Sequence, residues 1–391
     1  MFTNKALLFL AAILAVLAFF ACQSPATPYI DTGRAAFDSK QYDLAITEYS
    51  KAIGADEKSA AAYIGRGNAY FQQKKYDQSL ADFSKAVELN PQSPQALLGR
   101  GKSYSYQKQF DPAVADLNNA IKLDPGLSEA YYWLGRCYHN TQPKDLDRAM
   151  ANYDKAIELD SNNADYYIGR GNCLMDMKQY DKAILEYSTA IELNTESTAV
   201  AYDNRGLCYN NTEEYDRAIA DVTRAIELQP DAAGYYNNRG WYYLVIGDLE
   251  NAAPDINKSL ELNPNAAAAW DSRGWYYYLT GNVNQAIDDT TKAIELGSED
   301  PTVYTHRAQG YYEKKELDKA MADLNKALEL DSKYAESYLY RGLCYEAIKQ
   351  PDKALTDFQS SINLSADPSL LKKAMDGVKR LQSAQSCNCG R

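Results

Sequence analysis

Aromatic, small and aliphatic positions return along this chain in a fixed order, about every 34 residues. The clearest marker is a small residue: Gly33, Gly67, Gly101, Gly135, Gly171, Gly206, Gly240, Gly274, Ala308 and Gly342. Seven of its intervals are 34 residues, and the other two are 36 and 35. Four residues before the marker most copies carry an aromatic ring, among them Tyr63, Tyr131, Tyr236, Trp270 and Tyr338, and three residues after it a tyrosine such as Tyr70, Tyr138, Tyr243 or Tyr345. These offsets share one face of an α-helix, so the spacing predicts a first helix centred on the marker. Alanines twelve and nineteen residues on (Ala45, Ala113, Ala252, Ala354; Ala52, Ala120, Ala225, Ala327) predict a second helix that approaches the glycine closely, and Pro91, Pro125, Pro230 and Pro264 stop it. Ten residues after the marker stand Asp43, Asp77, Asp111, Asp181, Asp216, Asn284, Asp318 and Asp352, with Asp147 displaced by an insertion; they are expected to cap the second helices. A helical hairpin of this length cannot bury its apolar face alone and must stack on copies of itself.

Ten copies in one chain also let polar positions be compared with each other. Arginine precedes the marker at Arg66, Arg100, Arg170, Arg205, Arg239, Arg273, Arg307 and Arg341, and in the same copies an acid follows it by fifteen residues: Asp82, Asp116, Glu186, Asp221, Asp255, Asp289, Asp323 and Asp357. In repeat four both charges vanish together, to Leu134 and Asn152, although repeat one keeps Glu48 with Thr32. This covariation predicts an ion pair between the two helices of a repeat. An arginine ladder for an acidic partner would need those guanidinium groups unpaired and is the weaker reading. Cys137, Cys173, Cys208 and Cys344 all stand two residues after the marker and are expected to be small core residues; stacked copies at a helix-packing distance are too far apart for disulfides.

The in-phase aromatic, Gly, Tyr, Ala and Pro positions, from about residue 28 to 366, resemble the tetratricopeptide repeat (TPR). The resemblance implies an all-α fold: a right-handed superhelical solenoid of about ten helix-turn-helix repeats, residues 29–366, whose concave wall is lined mainly by first helices and binds proteins or peptides. Departures are the two extra residues near Asn140 to Lys144, Ala308 in place of glycine, and a first repeat without the helix-ending Leu and Pro. Beyond the array, Asp367-Pro368 opens a helix whose Leu370, Leu371, Ala374, Val378 and Leu381 form an apolar stripe, expected to close the solenoid over residues 367–385, with a disordered tail at 386–391.

The N-terminus has a different character. Lys5 is followed by an unbroken apolar run from Ala6 to Ala21 and then Cys22, so residues 1–21 resemble a bacterial lipoprotein signal peptide with Cys22 as the acylated residue and residues 22–28 as a tether. Phe19 and Phe20 depart from the usual residues before such a cut. An ordinary cleaved signal and an uncleaved anchor are the alternatives. The implied location is the cell envelope, on the outer membrane facing the periplasm or on the cell surface, with a lipid anchor.

Charge and chemistry narrow the function further. Acidic residues outnumber basic ones by 53 to 41, giving a formal charge of −12 with no Lys/Arg run, which argues against nucleic acid. The two histidines, His139 and His306, belong to no catalytic motif, and Gly101-Lys102-Ser103 lies within a repeat helix, so no enzyme, metal or cofactor is expected. Cys387 and Cys389 supply too few ligands for a metal. Two stretches of the expected concave wall differ. Repeats two to five offer Ile64, Leu98, Tyr132 and Ile168 with Asn68, Lys102, Arg136 and Asn172. Repeats six to eight offer Asp203, Asn204, Asn237, Asn238, Asp271 and Ser272 beside Trp241, Trp275 and Tyr278, and this second stretch is the chosen protein-binding surface, because amides can hold an extended backbone while indoles supply contact area. Two alternatives stand: the tryptophans pack on the adjacent first helix and the amides face water, or the wall stacks a small sugar or lipid. Chaperone-binding TPR domains grip a terminal carboxylate through a lysine whose place here holds Ile64 and Leu98, so that ligand is not expected.

Overall fold

The computed structural model describes residues 24–388, with side chains through residue 383. The signal-like segment, Cys22, and the side chains of Cys387 and Cys389 lie outside the described residues. Within them every regular element is an α-helix, in two compact units, one ending at Ser197 and the other starting at Thr198. The first unit holds five hairpins: α1 (Thr27–Asp38) with α2 (Tyr42–Ala55), α3 (Ala60–Gln72) with α4 (Tyr76–Leu89), α5 (Pro94–Tyr106) with α6 (Phe110–Leu123), α7 (Ser128–Asn140) with α8 (Leu146–Leu159), and α9 (Ala164–Asp176) with α10 (Tyr180–Glu192). The second holds five more: α11 (Thr198–Asn211) with α12 (Tyr215–Leu228), α13 (Ala233–Val245) with α14 (Leu249–Leu262), α15 (Ala267–Leu279) with α16 (Val283–Glu295), α17 (Pro301–Glu313) with α18 (Leu317–Leu330), and α19 (Ala335–Ala347) with α20 (Pro351–Leu364), followed by α21 (Pro368–Asn388). Each unit is a solenoid of stacked hairpins.

The marker glycine is set by the residue sixteen positions later on the second helix. A Cβ on Gly101 would lie 2.8 Å from Leu117 Cγ and 3.3 Å from the Ala113 carbonyl, so glycine and alanine together fix the helix approach. A second size rule crosses hairpins. Where that later residue is Tyr49, Phe83 or Tyr153, the next first helix carries glycine two residues before its marker: Gly65 faces Tyr49, Gly169 faces Tyr153, and a Cβ on Gly99 would come within 2.1 Å of Phe83; Tyr187, followed by Asn204, is the exception. Where it is smaller, as Leu117 or Thr290, the corresponding position holds Trp133 or His306. Phe83 and Phe358 are almost fully buried, each contributing roughly 2–3 kcal/mol.

The acids predicted as caps sit elsewhere. The second helices begin at Tyr42, Tyr76 and Phe110, so Asp43, Asp77 and Asp111 lie inside the first turn and accept no capping bond there. The hairpin turn is shorter than the sequence pattern suggested, because nine of the ten first helices, all but that of repeat four, are followed by a left-handed residue, Lys40, Lys74, Lys108 and Lys178 among them, after which the second helix starts at once. In place of capping, Asp43 accepts from Gln73 and Asp77 from Gln107 of the following hairpin at 2.8 and 2.7 Å, and each carboxylate complements the helix dipole. Side-chain caps on second helices appear in repeats four and seven, from Asp145 and Asp248.

The arginine–acid pairs form as the covariation predicted. Arg66 grips Asp82 through two bonds of 2.8 Å, Arg239 grips Asp255 at 2.6 and 2.8 Å, and the same contact joins Arg100–Asp116, Arg170–Glu186, Arg205–Asp221, Arg273–Asp289, Arg307–Asp323 and Arg341–Asp357. Several guanidinium groups reach further, to the second helix of the preceding hairpin: Arg66 to Ser50, Arg170 to Asp154, Arg239 to Thr223, Arg307 to Thr291 and Arg341 to Asn325. In repeat one Glu48 pairs with Lys51. Cys137, Cys173, Cys208 and Cys344 are buried unpaired thiols, and burial pushes the last three up to about 12, far from a reactive thiolate. Ala374 and Leu381 of α21 are buried against Phe358, with Leu370 and Val378 beside them.

Candidate functional site

In the second unit, the faces of consecutive first helices meet along a seam built by residues two and three positions before each marker. Asp203 on α11 accepts from Asn238 Nδ2 on α13 at 2.9 Å. Burial pushes the Asp203 carboxyl up to about 6, offset only in part by that bond. Close by, Asn237 Oδ1 and the Tyr242 hydroxyl are buried with no protein partner. Two hairpins on, Asp271 of α15 accepts from His306 Nδ1 of α17 at 3.0 Å, and both residues are buried. Burial alone would lower the His306 value; the Asp271 charge and hydrogen bond, with Glu336 and Asp300 beyond, more than reverse it, so the imidazole is held above its ordinary range.

An aromatic rail runs over this pair. The His306 ring stacks on Trp275 at 4.4 Å, Trp275 stacks on Tyr278 at 5.1 Å, and Trp241 lies 6.3 Å from His306. Trp241, Trp275 and Tyr278 are half-buried, as are Asp203, Asn204, Asn237 and Asn238. The structure therefore brings the sequence-chosen residues onto one seam, but turns Asp271 and Ser272 inward, where Asp271 is occupied by His306. His306 itself was not among the chosen residues. Its contact spans two repeats, so comparison within a repeat does not expose it; the signal available was Thr290, a small residue where five of the other copies carry a ring and four an aliphatic side chain.

The first unit presents a different face. A cavity of about 480 Å³ opens between α5, α7 and α9, lined by Tyr106, Glu129, Tyr132, Trp133, Arg136 and Asp165 among others. Lys102 pairs with Glu129 at 2.6 Å and lies over the Phe71 ring. Arg136 lies 4.4 Å over Trp133 and 5.4 Å from the Tyr106 ring. Among the described residues, no group of three or more His, Cys, Asp or Glu side chains could hold a metal ion, and no helix is long and apolar enough to cross a membrane. The His306–Asp271 pair is buried, and among the described residues no hydroxyl or thiol is hydrogen-bonded to it.

Comparison with known proteins bears on the scaffold. Family models described as tetratricopeptide or TPR repeats match residues 33–74, 60–93, 98–164, 141–202, 205–267, 238–302, 308–349 and 336–366. A comparison with curated proteins finds no match. Among solved structures, the Cut9–Hcn1 hetero-tetramer of the APC/C aligns over 93% of this chain and 98% of that chain at 14% identity and TM-score 0.52, which shows a shared fold. A tetratricopeptide repeat protein from Parabacteroides merdae aligns over 74% of this chain and 99% of its own at 19% identity and TM-score 0.47. YrrB, described as a TPR protein with an unusual peptide-binding site, aligns over 49% of this chain and 97% of its own at 25% identity and TM-score 0.38. With the hairpin period, the marker glycines and the matched repeats spread along nearly the whole array, the chain belongs to the tetratricopeptide repeat family.

Proposed function

We propose that this chain is a non-enzymatic scaffold of the bacterial cell envelope, held to a membrane by acylation of Cys22, that binds a partner protein or peptide on its first-helix face. The observation that carries the binding reading is the rail of Trp241, Trp275 and Tyr278 in repeats seven and eight. Rings already ordered by stacking lose little entropy when a partner covers them, and Asn204, Asn237 and Asn238 on the same face offer amides to an extended backbone. The buried, unpaired Asn237 Oδ1 is one acceptor that a partner's backbone N–H would satisfy after a small side-chain turn.

The test is a crosslinked pull-down from cell envelopes with wild type and with Trp241→Ala/Trp275→Ala, each checked for an intact helical melt. Loss of specific partners from the folded double variant is the expected result; recovery of the same partners would remove this surface. For the anchor, labelling with a palmitate analogue should be lost in Cys22→Ser, and a label that persists in that variant would remove the lipoprotein reading.

A further inference from the structure

Repeat four departs from its neighbours in three ways that converge in space. Its usual arginine is Leu134 and its usual acid is Asn152, it carries two extra residues in its turn, and it places an arginine, Arg136, one residue after the marker glycine. The guanidinium of Arg136 is thereby moved off the second-helix side, where the other repeats neutralise theirs, onto the first-helix face. It lies among the rings of Trp133, Tyr106 and Tyr132 at 4.4, 5.4 and 5.8 Å. No carboxylate among the described residues pairs with it. Of the two acids in the same cleft, Glu129 is paired with Lys102 and accepts from Trp133 Nε1, and Asp165 accepts from Ser197 Oγ at 2.5 Å and forms no ion pair with Arg136.

Open space continues on both sides of this cation. The 480 Å³ cavity lies on one side, and a second cavity of about 440 Å³, lined by Lys108, Phe110, Asn140 and Gln142, shares Tyr106 and Arg136 with it. The second cavity has no acid in its lining and two cations, Arg136 and the exposed Lys108. Among the described residues neither forms an ion pair, in a chain whose formal charge is −12. The repeat-four insertion supplies part of this wall, through Gln142.

We infer that the cleft of repeats three to five is a second binding site, which takes an extended peptide segment of a partner protein with an internal Asp or Glu side chain against Arg136 and apolar or aromatic residues on either side. The carboxylate supplies the direct ion-pair partner that Arg136 lacks, and the surrounding rings exclude water, which strengthens the pair. An internal acid fits better than a chain terminus because space continues past the guanidinium in both directions. Residues 1–23 and 384–391 contain no Asp or Glu, so they do not provide that side chain.

This inference rests on the protein-binding reading above but uses a different surface, so the two can fail separately. The test measures fluorescence anisotropy with labelled, N-acetylated and C-amidated nonapeptides of Leu, Phe and Gly around a central Glu, against the central-Gln analogue and the Gln analogue with a free C-terminus. The Glu peptide should bind at least about tenfold more tightly than the amidated Gln peptide, and that preference should disappear in Arg136→Gln, persist in Trp241→Ala/Trp275→Ala and weaken with salt. Lys108→Gln, at an exposed side chain, should reduce the preference severalfold and serves if Arg136→Gln fails to fold. Equal binding of Glu and Gln peptides, no binding of either, or a preference unchanged by both substitutions would overturn the site. Tighter binding of the free-acid Gln peptide would overturn the internal-acid assignment in favour of a terminus.

Discussion

The seam of repeats three to five and the seam of repeats six to nine place charge at different offsets on the same kind of first helix, and for opposite ends. In the first, Arg136 stands one residue after the marker with rings around it and no acid against it. In the second, Asp203 and Asp271 stand three residues before it, each satisfied by the next first helix through Asn238 or His306. An offset therefore fixes where a side chain emerges, while the neighbouring repeat decides whether its charge is consumed internally or left for a partner.

The largest way to test that division is to break a contact both seams share. Arg239→Ala leaves Asp255 buried without its partner and should cost about 3 kcal/mol by chemical denaturation, as should Arg100→Ala in the first unit. The exchange Arg239→Asp with Asp255→Arg should restore most of that loss; no restoration would mean the pairs do not hold the hairpins. Next comes pH. The folded chain keeps a proton on Asp203 up to about pH 6, whereas the unfolded chain releases it near 4, so this group's effect on stability becomes less favourable as pH rises through that window. His306 acts in the same sense at higher pH: its raised value gives stability that is full below the ordinary histidine range and is lost as pH rises through the folded value. Asp176 in the first unit runs the other way. Burial opposes its ionisation, but Lys144 and His139 hold its carboxyl low, so its contribution is lost only as the pH falls below the ordinary carboxylate range. Amide exchange corrected for intrinsic rates should therefore slow in the second unit between pH 7.5 and 5 and stay level in the first. Asp203→Asn should stabilise the second unit by roughly 2 kcal/mol at pH 7 and flatten its response below pH 6; an unchanged slope would show that Asp203 is ionised in the fold.

A smaller effect is expected at the second unit's rail. His306→Phe keeps a ring on Trp275 but strips Asp271 of its donor, costing about 1–2 kcal/mol in a melt. A neutral outcome would show that water already serves that carboxylate. The smallest concerns the turns. Lys74 occupies a left-handed position that the second unit fills with glycine at Gly247 and Gly281, so Lys74→Gly should stabilise the first unit by about 0.5 kcal/mol. Destabilisation would mean that the stem of Lys74 packs on the turn.

Much of this was legible because one chain contains its own alignment. The marker glycines gave the period, and the joint loss of arginine and acid at Leu134 and Asn152 gave the pairs before any coordinate. The capping acids were misplaced because the pattern does not show that a lysine such as Lys40 or Lys74 takes the left-handed turn position, which starts the second helix earlier. Contacts between repeats were the harder part. That His306 would meet Asp271, or that Gly99 makes room for Phe83, depends on register across a hairpin boundary, which an in-repeat ruler cannot measure. Arg136 was visible as a cation on the wall, but only the structure shows that neither nearby acid pairs with it, Glu129 being held by Lys102 and Asp165 by Ser197.

The arginines that reach back to the preceding hairpin act as straps, and their distribution has a mechanical consequence. They cross from α3 to α2, α9 to α8, α13 to α12, α17 to α16 and α19 to α18, yet among the described residues no arginine ties α5 to α4 or α7 to α6. Load applied along the first unit crosses those two boundaries without an arginine strap, through packing, the Ser79–Ser103 and Gln107–Asp77 hydrogen bonds and the Lys102–Glu129 pair. The cleft around Arg136 lies on that unstrapped stretch, so its two walls are held to each other by side-chain pairs that a partner also meets.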